Sequence, residues 1–577
     1  MSPVKDQLHI LPPGGVSLRG RLGKALEKSV NHRLKKVNYD HLVAPFRDRN
    51  ERDGRWRCEF WGKIVRSAIR SWHAVPDPGL EQLIRKTVHD LCATQTPDGC
   101  ISSYPAELQT KDWDIWGRKY ALLGLCRYYR EIERSEEVRH AVARCLDHLM
   151  TQVGPEAQRI VDCGHHTGLA ASSLLGAVVA AARVTGEKRF LDYAKWIAAQ
   201  GGSTEGDIFA LARRGTAPAE LGNGKAYEMT SCFEGLLELY RETGDPEQLD
   251  AVMKYFRAVR DRELFITGAG GLKDMWGEFW YEGRRNQTRS EAGSLGEACV
   301  TTTCIRLFRQ VLRLTGELSA ADEMERALYN GILGAMVPDG SWWLHANPTP
   351  LAGSSFKKRA GDQIPGYGED CCVAQGPEAL ATAACYAVMR TEEGPAVLFY
   401  EACEAKIPLA DGSEAALSIT GNYPDGAAAA ITVSLPAPRR FRLKLRVPAW
   451  STRTRIRVAG EEIPAPPGTF AEIDRLWTTG DRVELEFDLR FRAVPAPDGG
   501  ALLAAMRGPV LFARDSRLGE LDTPVSPEEI ENAQEIPAEP EFARLCRLPD
   551  GSKLCDYASA GNRFTPENTL RVWLPKR

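Results

Sequence analysis

The stretch from Met229 to Gln248, MTSCFEGLLELYRETGDPEQ, decides the fold. Met229, Cys232, Phe233, Leu236, Leu237 and Tyr240 lie three, four, seven, eight and eleven residues along from the first, so every apolar side chain falls on one stripe of a helix. Thr243-Gly244 ends it: glycine past the last turn is the usual C-cap, and the acidic residue after it can start the next helix. The same punctuation recurs in VTGEKRF at Thr185-Gly186 and LTGELSA at Thr315-Gly316, and YYREIERSEEV around Ile132 reads as an earlier, degenerate copy. Intervals of 58 and 72 residues between the Thr-Gly pairs leave room for two helices and their loops, a period that reads as stacked helical hairpins.

Helical period holds from about Leu22 to Arg390. Hairpins of this kind can stack openly or close into a double-layered toroid of about six pairs, and the closed (α/α)6 barrel is expected for residues 1–390. Loops rich in Gly, Trp and His at 98–118, 161–168, 266–296 and 335–376 are expected at its mouth. Near Pro395 the period changes to two. Phe441, Leu443, Leu445 and Val447 alternate with Arg442, Lys444 and Arg446, and Val483, Leu485, Phe487, Leu489 and Phe491 alternate with Glu484, Glu486, Asp488 and Arg490. Such alternation predicts half-buried antiparallel strands, so a β-sandwich is expected over 391–577. Within it, Gly519–Pro540 holds seven acidic residues, four prolines and no basic residue, which predicts an extended surface loop.

The 577 residues, 43% hydrophobic and 26% charged, are those of an ordinary globular protein and exclude a disordered or fibrous chain. Lys plus Arg at 74 against Asp plus Glu at 77 gives a net charge of −3, no footprint for a nucleic acid. The N-terminal MSPVKDQLHILPPGGVSLRG lacks an apolar signal core and no run of about 20 apolar residues follows, so a cytoplasmic protein without a membrane partner is expected. Fifteen scattered cysteines fit the same reducing compartment. A homodimer through the sandwich stays open.

Two constellations could do chemistry. Glu297-Ala-Cys299 and the vicinal Cys371-Cys372 together offer three thiols and a carboxylate, a tetrahedral set whose softness selects zinc. The same residues also read as buried small or polar groups, or as a vicinal disulfide. Trp276-Gly-Glu278-Phe-Trp280 places a carboxyl between aromatic rings, where desolvation raises its pKa and suits a general acid, while the Trp faces suit a sugar. Aromatics capping the core beside a solvated Glu read equally well. His165, His166, Lys225 and Tyr227, between helices, and Trp116, in Trp113-Asp-Ile-Trp116, could meet sugar hydroxyls or serve as caps and core. Cys232, Cys304 and Cys385 fall on apolar helical faces and read as packing. The chain contains no Walker A, Rossmann fingerprint or HExxH.

The ordered motifs Glu59-Phe-Trp-Gly-Lys63, Trp113-Asp-Ile-Trp-Gly-Arg-Lys-Tyr120, Gly224-Lys-Ala-Tyr-Glu-Met229, Glu297-Ala-Cys-Val-Thr301, Tyr329-Asn-Gly331, Asp370-Cys-Cys372, Leu445-Arg-Val-Pro-Ala-Trp450 and Trp477-Thr-Thr-Gly-Asp481 resemble glycoside hydrolase family 127, the β-L-arabinofuranosidase-like proteins. The resemblance implies an (α/α)6 barrel followed by β-sandwich domains. It also implies a Zn2+ ion held by Glu297, Cys299, Cys371 and Cys372, with Cys371 as thiolate nucleophile of a retaining mechanism and Glu278 as acid/base. The substrate implied is a small oligosaccharide or glycoside carrying β-L-arabinofuranose or a related pentose-like sugar. Two features depart from the characterised arabinofuranosidases: Val-Ala-Gln-Gly-Pro377 follows the cysteine pair where they are Pro-rich, and Lys225 stands where they present His. A lysine there could favour an acidic sugar. A polysaccharide lyase or sugar epimerase on an α/α toroid would instead use Tyr, His and Arg without a thiolate. A non-catalytic carbohydrate-binding protein would close all four positions around a structural zinc.

Overall fold

The structure, a computed structural model, describes residues 3–271, 278–288, 295–348, 355–357, 361–409 and 412–577. Among them, six helices form an inner ring: Cys58–Ala74, Asp114–Glu131, Leu175–Thr185, Ala226–Thr243, Ala298–Thr315 and Cys371–Ala387. Each packs on the next, and the sixth returns to the first. An outer helix covers each in turn: Pro78–Cys92, Glu136–Gln152, Lys188–Ala199, Pro246–Ala258, Leu318–Arg326 and, on the sixth, Arg21–His32. The chain is therefore an (α/α)6 barrel, and each inner helix runs the same way because an outer helix carries the chain back.

The Thr-Gly punctuation works as read. Gly186, Gly244 and Gly316 cap their helices in the left-handed region with φ of 74°, 68° and 70°. In each turn the threonine hydroxyl accepts the amide of the residue after glycine, Glu187, Asp245 or Glu317. One expectation needs correcting. The helix Ala226–Thr243 buries Glu228, Thr230, Ser231 and Arg241 as well as its apolar stripe. An inner helix has no solvent face, so its polar side lines the barrel axis and must find partners there.

The β part begins at Val388, but not all of it comes from the C-terminal half. His9–Ile10 pairs with Val388–Arg390, and Val16–Leu18 pairs with Cys403–Pro408, so residues assigned to the barrel supply edge strands to both sandwich sheets. These have five and seven strands, antiparallel except where Arg439–Arg446 meets Pro395–Val397. The alternation is realised: Phe441, Leu443 and Leu445 are buried opposite Arg475, Ile473 and Ala471. Past Phe491 the chain builds a nine-stranded sheet with its own apolar cluster around Leu511, Tyr557 and Trp573, a second β unit beyond the single sandwich expected. Ser355–Phe356 of the barrel's mouth pairs with Thr569–Arg571 of that sheet.

The acidic segment is not a bare loop. Ser526 and Glu529 close a capping box on the helix Pro527–Glu531, whose Ile530 is fully buried, and Gln534–Ile536 pairs with Leu545–Arg547. Composition there reflects caps and an edge strand, both of which favour acidic residues and proline.

Barrel and sandwich share polar contacts. Glu325 pairs with Arg446, each side chain at most 1% exposed, and accepts the Tyr423 hydroxyl at 2.6 Å. Asn330 reaches the second β unit instead, donating to Pro509 O and accepting from Leu511 N, both at 2.8 Å. Among the described residues no helix is long and apolar enough to cross a membrane.

Candidate active site

The inner helices bring their N-terminal ends to one mouth of the barrel. Glu297 is the N-cap of the fifth, with Cys299 in its first turn; Cys371 and Cys372 begin the sixth. Asp370 caps that sixth helix by accepting the amides of Cys372 at 2.8 Å and Val373 at 3.4 Å. Residues 72 or more positions apart in sequence thus meet because two helices start side by side, each N-terminus favouring negative charge.

The Sγ atoms of Cys371 and Cys372 lie 3.9 Å apart, too far for a disulfide. Glu297 Oε1 is 3.9 Å from the first sulfur and 3.7 Å from the second. A tetrahedral zinc with Zn–S bonds of about 2.3 Å would hold two sulfurs about 3.8 Å apart, so the spacing fits such an ion. Among the described residues Glu297 Oε2 is buried with no hydrogen-bond partner, as a carboxylate that holds a cation would be. Glu278, Glu297, Cys299 and Cys371 offer ligand atoms all within 4.8 Å of one another.

His345 was not singled out from the sequence. It joins Glu297, Cys371 and Cys372 in a second group within 4.8 Å, with Nε2 3.6 Å from Glu297 and Nδ1 3.3 Å from Asp370. Glu297 and Cys371 are common to both groups; Cys372 and His345 complete one, Glu278 and Cys299 the other. Gln375 was passed over too, although its Nε2 donates to Cys299 Sγ at 3.0 Å. Glu59 and Lys63, quoted only as a motif, form a buried ion pair at 2.7 Å, and the Glu59 carboxylate accepts Trp116 Nε1. Glu59 is pushed up to about 7 by burial against the charge of Lys63. The signal in sequence was a Glu-Lys pair at i, i+4 inside an apolar run.

Burial opposes ionisation of Cys371, but hydrogen bonds from Cys299, Cys372 and His345, with the charge of Lys63, hold it well below the ordinary thiol range. Burial drives Cys299 and Cys372 well above it. Of the three thiols, Cys371 is the one whose surroundings favour the ionised form.

Glu278 faces this group from a short backbone ladder: Ala226 N donates to Glu278 O at 2.6 Å, and Trp280 N to Gly224 O at 2.9 Å. Lys225 Nζ lies 2.9 Å from Glu278 Oε2. Burial would raise the Glu278 pKa, but Lys225 outweighs it and leaves the carboxyl below its usual range. Lys225 is thereby committed to a protein carboxylate. Beside them Glu228, buried, is pushed up to about 7 although Lys225 opposes the shift. Glu282 instead pairs with Arg262 on the outside.

His165 and His166 stand against Trp113 with ring centroids at 4.8 and 5.5 Å, and His166 meets Phe279 edge-on at 6.3 Å. Burial and Lys225 hold His166 neutral, at about 3. Tyr227 lies lower, with its hydroxyl donating to Gln375 Oε1 at 2.7 Å and bonded to Tyr120, so it supports the floor and offers no free group at the mouth. Trp116 is 3% exposed and packs edge-on against Tyr227 at 5.4 Å, also in the floor. Trp276 lies outside the described residues. Cys304 and Cys385 are buried core, as read.

A family model described as the β-L-arabinofuranosidase, GH127 catalytic domain, matches residues 21–384, and one for the GH127 middle domain matches 396–489. A non-reducing end β-L-arabinofuranosidase of Bifidobacterium longum subsp. longum is 23% identical over 497 residues, 76% of this chain and 72% of its own. In fold, the chain is similar to a GH127 β-L-arabinofuranosidase from Geobacillus stearothermophilus T6, with a TM-score of 0.76 at 20% identity over 97% of this chain and 100% of that one. It is similar also to a second GH127 β-arabinofuranosidase, with a TM-score of 0.79 at 17% identity over 99% and 98%. With a catalytic-domain model that spans the whole barrel, over a mouth of helix-capping thiols and carboxylates, this chain belongs to glycoside hydrolase family 127.

Proposed function

We propose that the chain is a zinc-dependent retaining exo-glycosidase releasing β-L-arabinofuranose, or a related pentose-like sugar, from a short glycoside in the cytoplasm. The observation that carries this reading is the approach of the Glu278 carboxylate to within 4.8 Å of the Cys371 sulfur. A retaining pair of carboxyl groups sits roughly 5–5.5 Å apart across the scissile bond, and an oxygen-to-sulfur distance is naturally somewhat shorter. All fifteen cysteines are free and buried, which suits a reducing compartment.

Glu297, Cys299, Cys371 and Cys372 would hold the metal, which when bound supplies positive charge that keeps the thiols ionised at neutral pH. In the first step the Cys371 sulfur attacks the anomeric carbon as the bond to the leaving oxygen breaks, and Glu278 gives that oxygen its proton. Water then attacks the same carbon from the opposite side and passes a proton back to Glu278; the carbon–sulfur bond breaks and Cys371 leaves as thiolate. Two inversions retain the configuration. The tilted Trp113, His165 and His166 rings would hold the sugar. Because Lys225 is spent on Glu278, it supports a neutral sugar better than an acidic one.

The low position of Glu278 against the high position of Glu228 favours a second assignment of the acid, with Glu228 delivering the proton. The nucleophile is tested by a cysteine-directed, cyclitol-type inactivator and mass spectrometry. A label on Cys371 is expected. A label on Glu297 or Glu278 with Cys371 free would replace the thiolate by a two-carboxylate mechanism.

A further inference from the structure

Below the candidate active site, toward the other end of the barrel, inner helices enclose a cleft of about 80 Å³. Six cationic side chains line it against two carboxylates, Glu234 and Glu238. Several cations are matched: Arg183 binds Glu238 and Glu242, Arg127 binds Glu378 at 2.9 Å, and Arg306 donates to Gln375 and Thr303.

Others are not. Lys119 is 3% exposed, and among the described residues its ammonium donates to Ser173 Oγ at 3.0 Å and forms no ion pair. Arg66, 5% exposed, pairs loosely with Glu378 at 3.9 Å, a carboxylate it shares with Arg127, Arg306 and Arg309. Among the described residues Ser231 Oγ is buried in the same lining without any partner. Among the described residues, a buried amine that meets no carboxylate, set against Ser173 and the Trp116 ring at 3.9 Å, and a buried hydroxyl without an acceptor or donor both line one small space.

The walls set the size of what could enter. Gly176, Ala177, Ala180 and Gly235 line one side, where the third and fourth inner helices touch: a Cβ on Gly235 would stand 2.6 Å from the Gly176 nitrogen. The space admits an anion of a few heavy atoms and excludes a sugar ring. Arg130, exposed, marks its opening.

We propose that this cleft is a binding site for a phosphate-sized oxyanion, either inorganic phosphate or the phosphate end of a small metabolite, held by Lys119, Arg66 and Ser231. Lys119, protonated as the anion binds, and the Arg66 guanidinium supply charge, and the Ser231 hydroxyl supplies a directed donor, whereas the Ser173 hydroxyl is already given to Ala170 O at 2.6 Å. Burial, with Arg306 and Arg66 close by, holds Lys119 well below the ordinary lysine range. An anion would relieve that repulsion. The site is independent of glycoside cleavage and needs no metal.

Isothermal titration at constant ionic strength, with inorganic phosphate in one arm and glycerol 3-phosphate in the other, tests the proposal. Saturable binding is expected in at least one arm, and the tighter arm identifies the source. Lys119→Met should weaken it at least about 10-fold. Ser231→Val, which alters a hydroxyl that has no partner, should weaken it too and keeps the test open if Lys119→Met does not fold. Crystals soaked in selenate should show anomalous signal beside Lys119 Nζ. No saturable binding in either arm, both variants binding as the parent does, or selenate found only beside Lys225 would overturn the proposal.

Discussion

Gln375 is 1% exposed and holds three hydrogen bonds at once. Its Oε1 accepts from Arg306 at 2.5 Å and from the Tyr227 hydroxyl at 2.7 Å, which fixes the amide so that Nε2 must face Cys299 Sγ at 3.0 Å. Two substitutions separate what these bonds do. Gln375→Leu strands two buried donors, at about 1–3 kcal/mol each, so the protein should lose about 2–6 kcal/mol of stability. Gln375→Glu keeps the acceptor for Arg306 and Tyr227, and Arg306 keeps that carboxylate ionised, but nothing then donates to Cys299. A partner of a metal ligand is typically worth about 10–100-fold in metal affinity, so Gln375→Glu should bind zinc that much more weakly while remaining folded. Competition with a chromophoric chelator measures the affinity, and thermal unfolding of the metal-free protein runs beside it. If Gln375→Glu held zinc as tightly as the parent protein, the amide would be a strut between Arg306 and Tyr227 and no part of the metal site.

Cys299→Ala should remove zinc from the purified protein and Cys304→Ala should not, as read by elemental analysis; retention of full zinc by Cys299→Ala would hand the fourth position to His345. Glu278→Gln should slow cleavage of a natural glycoside by about 10²–10⁴-fold, and far less with an activated leaving group, because acid help matters most where the leaving oxygen is basic. The same signature in Glu228→Gln alone would move the acid there. Burial, only partly offset by Asp556, pushes Lys357 down to about 7. The unfolded chain then holds the extra proton between pH 7 and about 10.5, so this lysine makes stability rise with pH across that window, and Lys357→Met should flatten the rise in a denaturant series.

The barrel was legible because its hairpins repeat a physical device. Thr-Gly turns set three helix ends, and period-two alternation announced the strands around Leu443 and Leu485. What stayed hidden depends on contacts between distant residues. No local pattern says that Val16–Leu18 will join a strand some 390 residues on, or that an acidic, proline-bearing segment will bury Ile530. At the site, Glu297, Cys299, Cys371 and Cys372 stood out through rare chemistry at close spacing. His345 and Gln375 did not, since one histidine in a loop and one glutamine in a helix carry no spacing signal. Tyr227 and Trp116 were legible as aromatics near the chemistry, but only packing could say that they lie beneath it.

Glu325 gives the sandwich a role in the barrel's own integrity. Its carboxylate is buried in a barrel helix, yet the guanidinium that neutralises it belongs to Arg446, in a strand of the neighbouring domain. Arg446→Met, which removes the cation and leaves the domain in place, would strand that charge at a cost of about 3–5 kcal/mol, a large part of the 5–15 kcal/mol that typically separates a folded protein from its unfolded chain. The catalytic unit is therefore not a portable module. A chimaera that exchanged one sandwich for another would have to carry Arg446, one that also exchanged the second β unit would have to carry the backbone that Asn330 grips, and directed evolution of the barrel alone would be selecting on half of an ion pair.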